Sequence, residues 1–123
     1  MIKELFQNRK KPAITKEQAL REAGYTREDG SNLSPDGRVL LNGPTILEEV
    51  YQIPEGVRFI FDYCFSKSVV KDGKTCKVII PSSAVYISEH AFDGCTALYA
   101  IYGPVNGTTQ TWAEDHEILF IGE

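Results

Sequence analysis

Three thiols and two imidazoles carry the intrinsic reactivity in this chain: Cys64, Cys76, Cys95, His90 and His116. A cysteine becomes a nucleophile when a histidine or another positive group beside it stabilises the thiolate. Such a pair would make the protein a cysteine-dependent hydrolase or transferase. It requires spatial contact, which the spacing of these five residues does not supply. Zinc uses the same residue types, but a zinc site legible in sequence carries paired ligands a few residues apart. No Cys-x-x-Cys or His-x-x-x-His occurs here. Asp29, Asn32 and Asp36 raise a calcium reading, yet the helix-flanked calcium loop needs Asp-x-Asp-x-Asp-Gly and a closing Glu. Asp29-Gly30 and Pro35-Asp36-Gly37 are better read as turns. Neither Gly-x-x-x-x-Gly-Lys nor Gly-x-Gly-x-x-Gly is present to cradle a phosphate. The expectation is a non-enzymatic protein with no catalytic residue, no cofactor and no metal.

Charge and hydropathy narrow the partners. A formal net charge of −4 argues against non-specific nucleic-acid binding, which needs clustered positive charge. The one basic run, Arg9-Lys10-Lys11, reads as a solvated tail. No stretch approaches the ~20 apolar residues that cross a bilayer, so no membrane insertion is expected. Met1 to Asn8 lack the apolar core of a secretory leader. The sequence as written is therefore expected in the cytoplasm. Removal of a leader would instead make it a cell-surface or secreted protein, for example a fragment of an adhesin. Three cysteines at irregular spacing fit a reducing compartment better than a disulfide framework.

The elements that must position these residues are announced by a repeat. Ile53-Pro54-Glu55-Gly56-Val57-Arg58-Phe59-Ile60-Phe61-Asp62-Tyr63-Cys64-Phe65 returns as Ile80-Pro81-Ser82-Ser83-Ala84-Val85-Tyr86-Ile87-Ser88-Glu89-His90-Ala91-Phe92, at an offset of 27. A fixed period of this size predicts stacked coils, because one unit cannot close a core alone. Ile53/Ile80, Val57/Ala84, Ile60/Ile87 and Phe65/Phe92 are the expected interior; Asp62/Glu89 is the expected solvated corner. Pro54 to Pro81 spans 27 residues and Pro81 to Pro104 spans 23. The difference of four lies between Phe65 and Thr75, where Asp72-Gly73 signals a turn. A unit of 23 with a loop insertion in the first copy follows. In this frame Cys64 aligns with Ala91 as a small core residue, and His90 aligns with Tyr63 at an outward or boundary position.

These residues resemble the BspA-type leucine-rich repeat, Ile-Pro-x-x-Val-x-x-Ile-x-x-x-Ala-Phe-x-Gly-Cys-x-x-Leu. The second copy carries Ile80-Pro81, Ile87, Ala91-Phe92, Gly94-Cys95 and Leu98. The first copy departs at Cys64, at Lys67-Ser68, and near Thr75-Cys76. Upstream, Asp36 to Val57 is similar to the family's divergent opening repeat. Downstream, Tyr102 to Phe120 is similar to its helix-plus-strand terminal cap. The resemblance implies an α/β leucine-rich-repeat solenoid, strand-dominated, with about two full repeats in parallel ladders and both ends capped. It also implies that Cys95 fills a small buried corner, and that Glu117 stands where relatives often have Gly.

Taken in order, residues 1–35 are read as an N-terminal arm and capping helix, and 36–123 as the solenoid with its C-terminal cap. Thr15-Lys16-Glu17-Gln18 is a capping box for a helix stopped at Gly24, which would cover the first coil. Glu28 to Asp36 reads as a polar loop. Short strands are expected at Arg38–Leu41, Val50–Ile53, Arg58–Phe61, Lys77–Ile80, Val85–Ser88 and Ala100–Tyr102. Helical turns are expected at Asp62–Phe65 and Glu89–Phe92. Asn106-Gly107-Thr108-Thr109 should cap a helix over Gln110–His116, with Trp112 facing the last coil, His116 at the helix end, and Ile118–Ile121 closing the sheet.

Alternation along the strands then separates inside from outside. With Tyr51, Val78 and Ile101 inward, Gln52, Ile79 and Tyr102 point out from one ladder. With Ile60 and Ile87 inward, Phe59 and Tyr86 point out from the other. Outward Phe and Tyr bury much area at low entropy cost. A protein-binding face around Phe59, Ile79, Tyr86 and Tyr102 is therefore expected. Its partner is another protein or a second copy in a homo-oligomer; cover by the N-terminal segment would equally account for these residues.

Overall fold

The fold is described from a computed structural model, for residues 24–70 and 74–122. The expected arm, capping box and helix between residues 1 and 23, and the Asp72-Gly73 turn, lie outside the described residues.

The chain winds as a β-solenoid of about four turns. The first coil contributes β3 (Val39–Asn42), β4 (Ile46–Leu47) and β5 (Val50–Gln52). The second contributes β6 (Phe59–Ile60), β7 (Val69–Val70) and β8 (Cys76–Ile79). The third contributes β9 (Tyr86–Ile87) and β10 (Leu98–Gly103). The fourth consists of a helix, α1 (Thr108–Asp115), and β11 (Phe120–Gly122). Like strands stack in parallel. β3, β6 and β9 form one ladder; β5, β8, β10 and β11 form a second; β4 and β7 form a third. The two long parallel ladders and the terminal helix–strand cap match the expectation.

Three details differ from it. The presumed loop insertion holds β7, whose Val69 and Val70 pair with Ile46 and Leu47. The polar segment Glu28–Asp36 contains β2 (Asn32–Leu33), which pairs antiparallel with β1 (Tyr25–Thr26) and with β3. Residues 25–33 thus extend the first sheet across the boundary placed at 35/36. The corners at Asp62–Phe65 and Glu89–Phe92 are hydrogen-bonded turns rather than helix: Cys64 N–H donates to the Phe61 carbonyl, and Ala91 N–H to that of Ser88. Tyr63, at φ 55°, departs from helical geometry altogether.

The interior is the one the repeat demands. Ile53, Ile80, Val57, Ala84, Ile60, Ile87, Phe65 and Phe92 are all buried in one cluster. Phe65 and Phe92 stack face to face, ring centroids 4.6 Å apart and planes 4° apart. Trp112 continues the column 5.5 Å from Phe92, and its indole N–H donates to the Ser88 carbonyl at 3.1 Å. The helix therefore replaces a strand yet still delivers an aromatic ring against Phe92. In the first coil the corresponding space is left by Gly43, where a Cβ would run into the Phe65 ring.

The helix begins two residues earlier than expected. Its N-cap, Gly107, has no side chain to offer; the Gln110 side chain instead accepts from Asn106 N–H at 2.7 Å. Its end is a Schellman turn. Ile118 N–H donates to the Ala113 carbonyl and Glu117 N–H to that of Glu114. Glu117 occupies the left-handed position at φ 58°, as expected of a residue standing where Gly is favoured.

Candidate functional site

The four residues expected to form a contact face separate into two pairs. Phe59 and Tyr86 are register partners on β6 and β9, with rings 6.3 Å apart and exposures of 41% and 54%. Ile79 and Tyr102 are register partners on β8 and β10, each half-buried. Both sheets line the same core, so each turns its outward side chains away from it on its own side. Phe59–Tyr86 and Ile79–Tyr102 consequently belong to two faces.

The first face has more relief. Tyr86 and Val85 stand beside an open hollow of about 390 Å³ formed with Thr108, Thr111 and Asp115 of α1. Arg58 anchors this region through its backbone: its carbonyl accepts N–H groups from both Val85 and Tyr86, at 2.9 and 3.1 Å. The strand hydrogen bonds fix Phe59 and Tyr86 in line, and the helix supplies a wall.

A third exposed pair was not singled out from the sequence: Ile46 and Val69 on β4 and β7. The signal was present, since 69 − 46 gives the 23-residue unit.

The reactive groups are placed as follows. Cys64 and Cys76 are buried and Cys95 is partly so. Burial pushes the Cys76 thiol up to about 11, with the nearby Cys95 adding to the effect; burial likewise raises Cys95. A nucleophilic cysteine needs the opposite displacement. His90 is exposed, stacks on Tyr63 at 5.5 Å and bonds Asp93 at 2.8 Å. That bond, with the negative charges of Asp93, Glu89 and Asp62, raises its pKa. His116 stacks on Trp112 at 3.9 Å, with one ring nitrogen 2.8 Å from the Trp112 carbonyl and the other 3.1 Å from that of Glu89. It fastens the helix end to the third coil. Asp29 and Asp36 act in turns, as expected: Asp29 accepts from the Ser31 N–H and hydroxyl, and Asp36 from Arg38 N–H and the Ser34 hydroxyl. Among the described residues no three His, Cys, Asp or Glu side chains gather as a metal site, and no helix is long and apolar enough to cross a membrane.

Compared with known proteins, the chain matches no family model, no curated protein and no solved structure.

Proposed function

We propose that this protein is a non-enzymatic interaction module, a short solenoid of the BspA leucine-rich-repeat type that binds another protein through a strand face. The observation that carries the reading is the Phe59–Tyr86 pair: two large rings held in register on a regular ladder and left substantially in solvent. Aromatic rings on a rigid sheet contribute large contact area with little entropy to lose, which is the usual make-up of an interface centre. The hollow beside Tyr86 gives a partner side chain somewhere to insert. The repeated Ile-Pro corners and the stacked Phe65 and Phe92 support the leucine-rich-repeat assignment.

The test uses Phe59→Ser with Tyr86→Ser, and separately Ile79→Ser with Tyr102→Ser, in the full chain. Both outward pairs lie outside the core, so thermal unfolding should remain cooperative. Association, whether with a second copy in sedimentation velocity or with a purified partner in calorimetry, should be lost in the first double variant and largely kept in the second. Unaltered association in both removes the strand face from consideration.

A further inference from the structure

Strand β5 is paired on one side only among the described residues: β8 lies against it and no strand lies beyond. Lys77 N–H donates to the Glu49 carbonyl, and Ile53 N–H to that of Ile79. In a parallel ladder, alternate residues turn their backbone groups to the same side. Val50 and Gln52 therefore aim their N–H and carbonyl groups at the open side, and both side chains are exposed.

A hollow of about 430 Å³ adjoins this edge, between the Arg27–Ser31 turn and the first coil. Glu28, Asp29 and Glu48 stand around it, with Thr45 and Val50. Among the described residues Arg27 is the cation acting on this group, through Asp29, which leaves the three carboxylates in excess there. Tyr51 lines the hollow from within. It is 9% exposed, and among the described residues its buried hydroxyl has no hydrogen-bond partner. Burial and the Asp29 charge raise its pKa and the nearby Ser31 hydroxyl lowers it, but Ser31 spends its own proton on Asp29 at 2.6 Å. A buried polar atom left unmatched costs free energy, and a ligand group that reaches it recovers that cost. On the other flank of Val50 a second hollow of about 540 Å³ is bordered by Glu48, Glu49 and Lys74.

We propose that this edge docks an extended segment of a partner protein, which adds a strand beside β5 and places a lysine or arginine side chain in the hollow ringed by Glu28, Asp29 and Glu48. Backbone pairing supplies the affinity common to all added strands, and the side-chain hollow supplies selectivity. A basic side chain matches the charge, donates to the carboxylates, and has a donor for the Tyr51 oxygen. The site is separate from the Phe59–Tyr86 face and stands without it.

The experiment selects short randomised peptides, displayed on phage, against the full-length protein, then measures the synthesised winners by fluorescence anisotropy. Winners should share a Lys or Arg flanked by β-branched residues, and their binding should weaken with salt. Glu28→Gln combined with Glu48→Gln should weaken binding about tenfold, the loss of one charge-assisted contact. These two side chains are exposed, so the fold should be unaffected. Tyr51→Phe should weaken binding while leaving the core filled. Amide signals of Val50 and Gln52 should shift on titration in NMR spectra. The proposal is overturned by winners that lack a basic residue, by an empty selection, or by binding indifferent to the two Gln substitutions. Binding abolished by Phe59→Ser with Tyr86→Ser but not by the Gln pair overturns it too, and leaves the strand-face reading standing.

Discussion

Tyr51 concentrates two conflicting demands in one side chain. Its ring packs edge-on against Phe65 at 6.0 Å, while its buried hydroxyl is unpaired among the described residues. Burial, with the Asp29 charge adding to it, pushes its pKa up to about 12. Between pH 10 and 12 the unfolded chain therefore releases this proton before the folded chain does. Below pH 10 the group is neutral in both states and adds no pH dependence; as pH rises through that window stability falls, by on the order of 2 kcal/mol in all. Tyr51→Phe should flatten the alkaline limb of a Tm-against-pH curve and raise Tm at neutral pH, since it deletes an unsatisfied buried oxygen. An unchanged alkaline limb in the variant would assign the loss to other groups. Glu117 poses a backbone problem instead. Its left-handed conformation costs about 1 kcal/mol for a residue with a Cβ. Glu117→Gly should stabilise by a few tenths of a kcal/mol to about 1 kcal/mol in urea unfolding.

At the scale of elements, the aromatic column is what converts separate short strands into one interior. Phe65, Phe92 and Trp112 come from two turns and a helix, yet meet in one column, the first two stacked and Trp112 tilted against Phe92. Phe92→Ala, which empties the centre of that stack, should cost about 3–5 kcal/mol. Gly43→Ala should cost about 1–3 kcal/mol by overpacking, because the new methyl group runs into the fully buried Phe65 ring. Both are read by chemical denaturation; a cost near zero for Gly43→Ala would mean that the Phe65 ring shifts freely. The stack was legible in the sequence, because Phe65 and Phe92 fall at one offset with apolar neighbours in phase. Strands β4, β2 and β1 were not. Each is two residues long, too short to display an alternation, and β2 is embedded in turn-forming Asp, Ser, Pro and Gly. The division of the contact residues into two faces also escaped a linear reading. Alternation tells inside from outside within a strand, but not how two sheets are set around their shared core.

For the whole molecule, nearest-neighbour stacking sets the distribution of stability. Each coil contacts the one before and the one after, so protection should peak at the middle and decline toward both ends. Amide exchange should be slowest around Ile60, Val78 and Ile101, where strands are paired on both sides and fully buried, and fastest at β1 and β11. Uniform protection along the chain would mean that the coils open only together. The acid groups of the turns set a second global response. Hydrogen bonds to Arg38 N–H and to the Ser34 hydroxyl hold Asp36 below its ordinary value. Their stabilising effect is present above about pH 4 and fades as pH falls further.

Among the described residues the β1–β2 hairpin carries the first sheet two strands beyond β3, while the neighbouring sheet stops at β5. At about 4.8 Å per strand, that leaves a ledge roughly 10 Å deep. A flat-ended coil stack is an invitation to fibre growth, each molecule prolonging the last. Among the described residues one end is stepped by the hairpin and the other carries α1, so the two ends differ in outline. The recess beside β5 is, among the described residues, as deep as two added strands. The step that makes the two ends unlike is thus also the one that leaves β5 as an open edge.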